Sequence, residues 1–184
     1  MNKKAWLDTL FYDEDYGNQV ETLELASVFQ KDGEAVWSKW VKYFDLIGLT
    51  NDDLRFFARA NNRTILKGEI VIDLDLRKNE THEELKLRCE KALGQLDQKG
   101  INYMAWFSGS VGYHIHIFSR MLRNYEHRDE YRAWFVRHLT GDDFKAKPGR
   151  VMIALEYDDH WKTGRPKTLL INKNNGVNDT IPLV

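Results

Sequence analysis

The sequence contains a single cysteine, Cys89, and this scarcity excludes two kinds of structure. One thiol cannot form an internal disulfide, and it cannot supply the several thiolates of a zinc knuckle. We therefore expect no structural zinc. Long apolar runs are also missing, since no stretch approaches the length that spans a bilayer. The sequence predicts a protein without a membrane segment.

The N-terminus lacks the pattern of a cleavable secretion signal. Polar and acidic residues interrupt any apolar stretch in the opening residues 1–8, so we do not expect a cleavable signal there. A cytoplasmic location is the resulting prediction. A length of 184 residues suffices for one domain with a sizeable core, and we expect residues 1–184 to form a single domain.

An excess of charge of either sign is absent, because the net charge is -1. A bound nucleic acid must then be held by a local basic surface and not by the field of the whole chain. Residues 120–173 include 12 Lys or Arg and 8 Asp or Glu. This mild excess fits such a surface, and it equally fits an ordinary solvated face of mixed charge.

The apolar pattern divides the chain into two parts. Residues 1–67 are predicted to form helices that cover the core, with an apolar stripe at helical spacing made of Val36, Trp40, Phe44 and Ile47. Residues 68–184 hold the motifs discussed below. Their elements are predicted as a strand at 69–76, a helix at 82–99 after a capping box, a hairpin of strands 103–107 and 113–118, a helix at 128–139, and a strand at 151–155 with 169–171 extended beside it.

This order of elements indicates a β-α-β-β-α-β core. Such a core predicts the α/β (α+β) class, with a mixed or antiparallel sheet of the split β-α-β type and flanking helices, next to the N-terminal helical cover.

Two aspartates alternate with apolar residues in the run 69–76. Since side chains alternate across a strand, Asp73 and Asp75 project from one face, and the isoleucines and leucines between them can bury on the other. Their Cα atoms should lie about 7 Å apart, close enough for both carboxylates to hold divalent cations. The pair also fits a polar solvent face, although aspartate is a poor strand former.

A loop of small residues, 108–112, joins the two strands of the predicted hairpin. Glycines let a chain wrap closely around an anion, and successive backbone N–H groups form a donor nest. Beyond the loop, His114 and His116 share a strand face, which aims His114 at a ligand above the sheet. A plain hairpin turn with two exposed histidines remains open, and so does a His-x-His pair that binds a transition metal.

A basic turn lies near the C-terminus, where His160, Lys162 and Arg165 follow the acidic run 156–159. Lysine and arginine at a turn can hold a triphosphate and neutralise the charge that develops on a transferring phosphoryl group. A charged surface hairpin explains the same residues equally well.

Taken together, these motifs resemble the archaeo-eukaryotic primase superfamily, which includes small primase subunits and primase-polymerases. The likeness lies in order and spacing over residues 72–164, about half of the chain. It rests on an Asp-x-Asp strand, a Ser-Gly-x-x-Gly-x-His loop and a His-x-Lys-Thr-Gly turn, matched here by Asp73 and Asp75; by Ser108, Gly109, Gly112 and His114; and by His160, Lys162, Thr163 and Gly164. The resemblance implies an RRM-like sheet with flanking helices.

The resemblance also implies two Mg²⁺ or Mn²⁺ ions. They would be held by three catalytic carboxylates, Asp73, Asp75 and Asp142. Asp143 stands beside the third, and Glu156 competes for its role, because an acidic run replaces the Arg-x-Pro-Gly-Ser-like run of small primase subunits. One ion would activate a 3′-hydroxyl and the other would bridge the triphosphate.

The phosphates of the incoming nucleotide would, by the same resemblance, be bound by Ser108, Gly109, Gly112, His114, Arg150, His160 and Lys162. Single-stranded or primed DNA template would be held through its backbone by Arg and Lys, with strong salt dependence. Trp161 can stack on a base, whereas Trp106 fits the core. A large primase subunit or a helicase is the expected protein partner, within the replication machinery.

The leading prediction is therefore template-directed nucleotidyl transfer from nucleoside triphosphates to a 3′-hydroxyl, in primer synthesis or extension. One alternative is a metal-dependent phosphodiesterase or nuclease with His114 and His116 as ligands. Another is a non-catalytic module that binds single-stranded nucleic acid on its sheet, usually marked by aromatics on the exposed face. Carboxylates stand on that face here, and they repel phosphate unless a metal intervenes.

Overall fold

In the part of the chain described by the structure, the β-structure consists of two four-stranded sheets and a separate hairpin. The computed structural model describes residues 1–13, 16, 23–46, 50–141, 152–173, 177–179 and 181. Within these ranges the strands are β1 (Glu24–Ala26), β2 (Val28–Lys31), β3 (Glu34–Trp37), β4 (Val41–Lys42), β5 (Asn62–Thr64), β6 (Glu69–Leu74), β7 (Met104–Phe107), β8 (Tyr113–Phe118), β9 (Met152–Ala154) and β10 (Thr168–Asn172). The helices are α1 (Lys3–Tyr12), α2 (Asn51–Arg59), α3 (His82–Gln98), α4 (Arg120–Asn124) and α5 (Arg128–Thr140), with a 3-10 helix at Tyr43–Leu46.

The central sheet has the strand order β10-β7-β8-β6, and each neighbouring pair is antiparallel. Strands β6 and β7 therefore run in the same direction on either side of β8, and α3 connects them. This is the split β-α-β arrangement. The predicted α+β class is confirmed, as are the strand at β6, the hairpin of β7 and β8, and the helices α3 and α5.

Alternating side chains of β6 build the core on the helical side of the central sheet. Ile70, Ile72 and Leu74 are at most 1% exposed and pack in one cluster with residues of α3 and α5. Burying each of these side chains contributes about 2 kcal/mol. Helix α3 begins at the predicted capping box, in which Thr81 and Glu84 each bond the other's backbone N–H.

The second sheet has the order β4-β1-β5-β9 and, together with α1, covers the other side of the central sheet. The Trp6 ring of α1 lies 6.3 Å, between ring centroids, from both Trp106 and Phe118 of the central sheet. Trp106 is 0% exposed, which confirms its predicted place in the core. The central sheet is thus buried on both sides over most of its length.

The prediction of a helical cover over residues 1–67 is wrong for its middle part. Strands β1 to β4 occupy residues 24–42, and β5 follows α2. The missed signal is Asp32-Gly33, which joins β2 to β3 with φ angles of 53° and 87°. Positive φ at both turn residues is typical of the type I′ turn, whose twist matches that of a two-stranded hairpin.

The stripe proposed for that helix is accordingly not a buried one. Val36 lies in β3 and is half-buried, and Phe44 of the 3-10 helix is 58% exposed. Tyr43 and Leu46 are the buried residues of that short helix. Ile47 lies outside the described residues. The apolar residues fall at helical spacing here only because successive short strands happen to place them so, and the spacing does not indicate a helix.

Strand β10 does not lie beside β9 as predicted. It pairs with β7, with Leu169 opposite Trp106, whereas β9 pairs with β5 in the second sheet. Residues 155–167, which carry the basic turn, consequently cross from one sheet to the other. This crossing places the turn where the two sheets meet.

Substitutions at Gly94 and Gly33 test the helix and the turn separately. A methyl group would meet no neighbour within 4 Å at either position, so each substitution reports on backbone conformation alone. We expect Gly94→Ala in α3 to raise the free energy of unfolding by about 0.5–1 kcal/mol, since alanine loses less backbone entropy in a helix. Gly33→Ala should lower it by about 1 kcal/mol, since φ is +87° there. Urea unfolding followed by circular dichroism measures both, and a change of the same sign in the two variants would contradict the turn.

Candidate functional site

The predicted carboxylate pair lies at the C-terminal end of β6. Asp73 stands opposite His114 of β8, and its Oδ1 is 3.4 Å from the His114 Nε2. The Asp73 side chain is 41% exposed, and Asp75 directly after the strand is also exposed. Both carboxylates are therefore exposed to solvent, and Asp73 contacts the His114 imidazole.

His114 is a buried imidazole with one nitrogen to spare. It is 7% exposed, and its Nδ1 has no hydrogen-bond partner among the described residues. Burial lowers the pKa of His114, the positive charge of Lys167 lowers it further, and Asp73 opposes both. The ring is thus kept neutral, and its unpartnered nitrogen is shielded from solvent.

The glycine loop packs directly against the carboxylate pair. A Cβ placed on Gly112 would lie 2.6 Å from the Leu74 carbonyl oxygen and 2.9 Å from Asp75 Oδ1, so only glycine fits here. The Ser108 hydroxyl accepts hydrogen bonds from the backbone N–H groups of Ser110, at 3.3 Å, and Gly112, at 3.2 Å. Ser108 therefore orders the loop from within, and these two amides point inward toward its hydroxyl.

The basic turn packs against the opposite side of the same loop. The Thr163 hydroxyl donates to the Gly109 carbonyl oxygen at 2.5 Å, and a Cβ on Gly109 would lie 2.8 Å from the His160 Cβ. Inside the turn, the His160 N–H donates to the Arg165 carbonyl oxygen at 2.8 Å. Lys162, within the turn, is exposed to solvent.

Electrostatics place His160 near both other motifs. Burial lowers the pKa of His160, the neighbouring His114 and Lys162 lower it further, and Asp75 raises it. Elements that are far apart in sequence, namely the end of β6, the glycine loop, the start of β8 and the basic turn, therefore meet at one end of the central sheet.

Three predicted site residues, Asp142, Asp143 and Arg150, lie outside the described residues. The position of the third carboxylate and of the further arginine stays a prediction. Among the described residues, no group of three or more His, Cys, Asp or Glu side chains is arranged to hold a metal ion.

Glu156 is not an open ligand, contrary to the alternative raised from the sequence. It is 0% exposed, and both of its oxygens are taken. Its Oε2 accepts from Arg63 Nε at 2.8 Å and Trp6 Nε1 at 3.0 Å, and its Oε1 accepts from Arg63 at 3.0 Å and Lys167 Nζ at 3.0 Å. A carboxylate with four donors in a dry interior serves as a counter-ion and has no room for a metal.

Glu156 belongs to a network of five buried polar side chains between the two sheets, which we call the buried network: Arg63, Glu69, His116, Glu156 and Lys167. Arg63 also donates to both oxygens of Glu69, at 2.7 and 2.8 Å. His116 Nδ1 lies 2.7 Å from Glu69 Oε1, and its Nε2 lies 3.2 Å from Lys167 Nζ. Each member is at most 1% exposed.

The hydrogen bonds assign the tautomer of His116. Because the Lys167 ammonium has only protons to donate, we assign Nε2 as its acceptor and the ring proton to Nδ1, which lies 2.7 Å from Glu69 Oε1 and 3.3 Å from Arg63 Nη2. Burial lowers the pKa of His116 to about 4, with a further contribution from the charge of Lys167. His116 is therefore neutral, and two cations balance two anions in the buried network.

The carboxylates of the buried network stay ionised. Burial alone raises the pKa of Glu69, but the charge of Arg63 and the hydrogen bonds from Arg63 and His116 outweigh it and hold the pKa well below its ordinary value. Glu156 behaves likewise, with Arg63 and Lys167 as the opposing charges. The network was missed from the sequence, where the one usable signal was that Glu69 and His116 fall on the same strand faces as Asp73 and His114.

The comparisons with known proteins add no identification. No model of a known protein family matches the chain, and no curated protein matches it significantly. Among the helices of the described ranges, none combines the length and the apolar character needed to cross a membrane. The function must be argued from the geometry of the site.

The buried network makes stability depend on pH in a defined direction. As the pH falls from 7 toward 4.5, the unfolded chain gains a proton on His116 near the ordinary pKa of 6.5, whereas the folded chain does not until about 4. The free energy of unfolding should therefore decrease on acidification, by about 2–3 kcal/mol from this group. Carboxylates with lowered pKa values contribute to this loss only below their ordinary value of 4.5.

Urea unfolding of the parent and of His116→Gln at about pH 7.5 and about pH 4.5 measures this dependence. The variant should lose less stability on acidification than the parent, while His127→Gln, at a side chain 67% exposed, should behave as the parent does. An equal loss in the parent and in His116→Gln would show that the folded protein does not keep His116 neutral.

Proposed function

We propose that the chain is the catalytic domain of a primase-type enzyme that performs template-directed nucleotidyl transfer, with residues 1–184 acting as one domain. The observation that carries this proposal is the convergence of three separate motifs at one end of the central sheet. Asp73 contacts His114, Gly112 packs on Asp75, and Gly109 packs on His160. We further propose that the central sheet is the catalytic sheet of the archaeo-eukaryotic primase fold.

The donor set at the end of β6 fits the Mg²⁺ or Mn²⁺ that the resemblance implies. Asp73 and Asp75 offer exposed hard oxygen ligands, and Mg²⁺ is commonly held by one or two carboxylates together with substrate phosphates. Asp142 or Asp143 would complete the set. Bound there, divalent ions would neutralise charge on the triphosphate and activate the attacking 3′-hydroxyl.

The basic turn and the loop supply the groups that would bind the triphosphate. Lys162 is exposed beside the loop, and His160 is half-buried between the loop and Asp75. His114 would join them only through a rearrangement that exposes its Nδ1, which is buried. Ser108 and the loop amides would join only by exchanging their present bonds to one another. Arg150 would act as an additional contact.

The partners follow from this chemistry. Nucleoside triphosphates and single-stranded or primed DNA would be the substrates, with template held through its backbone by basic side chains. Trp161 is partly exposed next to His160 and is placed to stack on a base. A large primase subunit or a helicase remains the proposed protein partner, in DNA replication or repair in the cytoplasm.

Both alternatives are disfavoured by particular contacts. A phosphodiesterase that uses His114 and His116 as a ligand pair needs a free nitrogen on each, but both nitrogens of His116 are engaged within the buried network. A single-strand-binding module needs an open sheet face, but α1 and the second sheet cover the face of Trp106 and Phe118. Nucleotidyl transfer at the end of the sheet needs neither a free nitrogen on His116 nor an open sheet face.

Removal of the two carboxylates tests the proposal. With primed and unprimed single-stranded templates, labelled nucleoside triphosphates and Mn²⁺, the parent should extend or synthesise primers. Asp73→Ala/Asp75→Ala should lose about 10³-fold or more of this activity, because charge on the phosphates is no longer neutralised.

The matched control, Asp45→Ala/Asp52→Ala, removes two exposed carboxylates elsewhere and should keep full activity. An inactive parent, or a fully active Asp73→Ala/Asp75→Ala variant, would refute the proposed function. Release of mononucleotides without added triphosphates would favour the phosphodiesterase instead.

A further inference from the structure

Every segment that carries a site motif also contributes to the buried network. Glu69 precedes Asp73 on the same face of β6, and His116 follows His114 on the same face of β8. Glu156 and Lys167 stand before and after the basic turn. The three pieces of chain that carry the site motifs thus supply four of the five members of the network, and β5 supplies Arg63.

Lys167 has the most demanding position in this network. Its ammonium donates to the Ala154 carbonyl oxygen at 2.8 Å and to Glu156 Oε1 at 3.0 Å, and it lies 3.2 Å from His116 Nε2. An ammonium has three protons, and three acceptors receive them. The backbone N–H of Lys167 also donates to the Asp158 carbonyl oxygen at 2.9 Å. One residue thereby joins both ends of the basic turn to β8.

Arginine or an apolar residue cannot reproduce this arrangement. The planar guanidinium has a fixed fork of donors, whereas the three acceptors around Lys167 converge on one point charge. The fully buried Trp106 ring lies beside this charge, with its centroid 5.8 Å from Lys167 Nζ. The site therefore selects lysine by geometry as well as by charge.

We propose that Lys167 is a positioning residue that holds the His160–Lys162 turn at its distance from His114, acting through Glu156 and His116. This inference rests on the proposed function, since the turn and His114 would bind the triphosphate together. Stability alone does not account for the arrangement, because buried ion pairs are often replaced by apolar residues without loss of stability. Retention of two cations, two anions and a neutral imidazole points to a requirement for geometry.

The sharpest test separates charge balance from position. Lys167→Met leaves an uncompensated negative charge in the interior and should reduce folding. The double variant Lys167→Met/Glu156→Gln restores neutrality, because Arg63 and Glu69 still balance each other. The double variant should unfold at nearly the same urea concentration as the parent, although the His160–Lys162 turn has lost its contacts with Lys167. For this folded variant we expect kcat/KM for the nucleoside triphosphate to fall about 10- to 100-fold, mainly through a higher KM.

The chain offers a matched control in Lys173, another lysine that bonds a carboxylate and lies over an aromatic ring. Its Nζ bonds Asp97 and lies 5.7 Å from the Tyr103 ring centroid, but its side chain is 50% exposed. Lys173→Met should leave KM and kcat unchanged. A Lys167→Met/Glu156→Gln variant with the KM and kcat of the parent would overturn the inference and leave the proposed function intact.

A measurement independent of activity covers the remaining case. Long-range ¹H–¹⁵N NMR spectra read the tautomer and surroundings of each histidine ring. The parent should show His116 protonated on Nδ1, and the double variant should shift the ring signals of His114 and His160, whereas Lys173→Met should not. If the parent makes no product, the proposed function fails, and these spectra alone decide the inference. Unshifted His114 and His160 signals in the double variant would overturn it.

Discussion

Arg63 bonds two buried carboxylates, Glu69 and Glu156, and Lys167 bonds Glu156, in the space between the two sheets, and the candidate site depends on these ion pairs. Each ion would be costly to bury alone, and removing one partner of such a network typically costs about 3–5 kcal/mol. The full set is satisfied only when the second sheet, the central sheet and the crossing segment hold one mutual position. The network thereby fixes the three segments that carry the site motifs.

Along β6 and β8, side chains on the same strand face change from buried to exposed within a few residues. Glu69 is 0% exposed at the start of β6, while the side chain of Asp73 near its end is 41% exposed. Along β8, His116 is fully buried in the network, whereas His114, 7% exposed, contacts the exposed Asp73. The charged groups of the buried network are thus paired with one another, whereas Asp73 and Asp75 at the sheet end are exposed to solvent. This division supports a site built on a rigid base.

Local patterns in the sequence predicted the local structure well. The alternation in β6, the capping box of α3 and the small-residue loop between β7 and β8 each act over a few neighbouring residues, and each appears as expected. The prediction for the N-terminal part was wrong because its strands are two to four residues long and their apolar spacing imitates a helix. The predicted partner of β10 was wrong because strand pairing is decided by tertiary packing, which spacing does not reveal.

The buried network lay beyond the sequence for a related reason. Its members are spread from residue 63 to residue 167, and each has an ordinary surface interpretation by itself.

The most direct test of the proposed site is an anomalous-scattering map from crystals grown with Mn²⁺ and a non-hydrolysable nucleoside triphosphate. The account predicts Mn²⁺ on Asp73 and Asp75, with the phosphates between the glycine loop and Lys162. Phosphates bound away from that loop, or Mn²⁺ bound elsewhere and not on these aspartates, would contradict it.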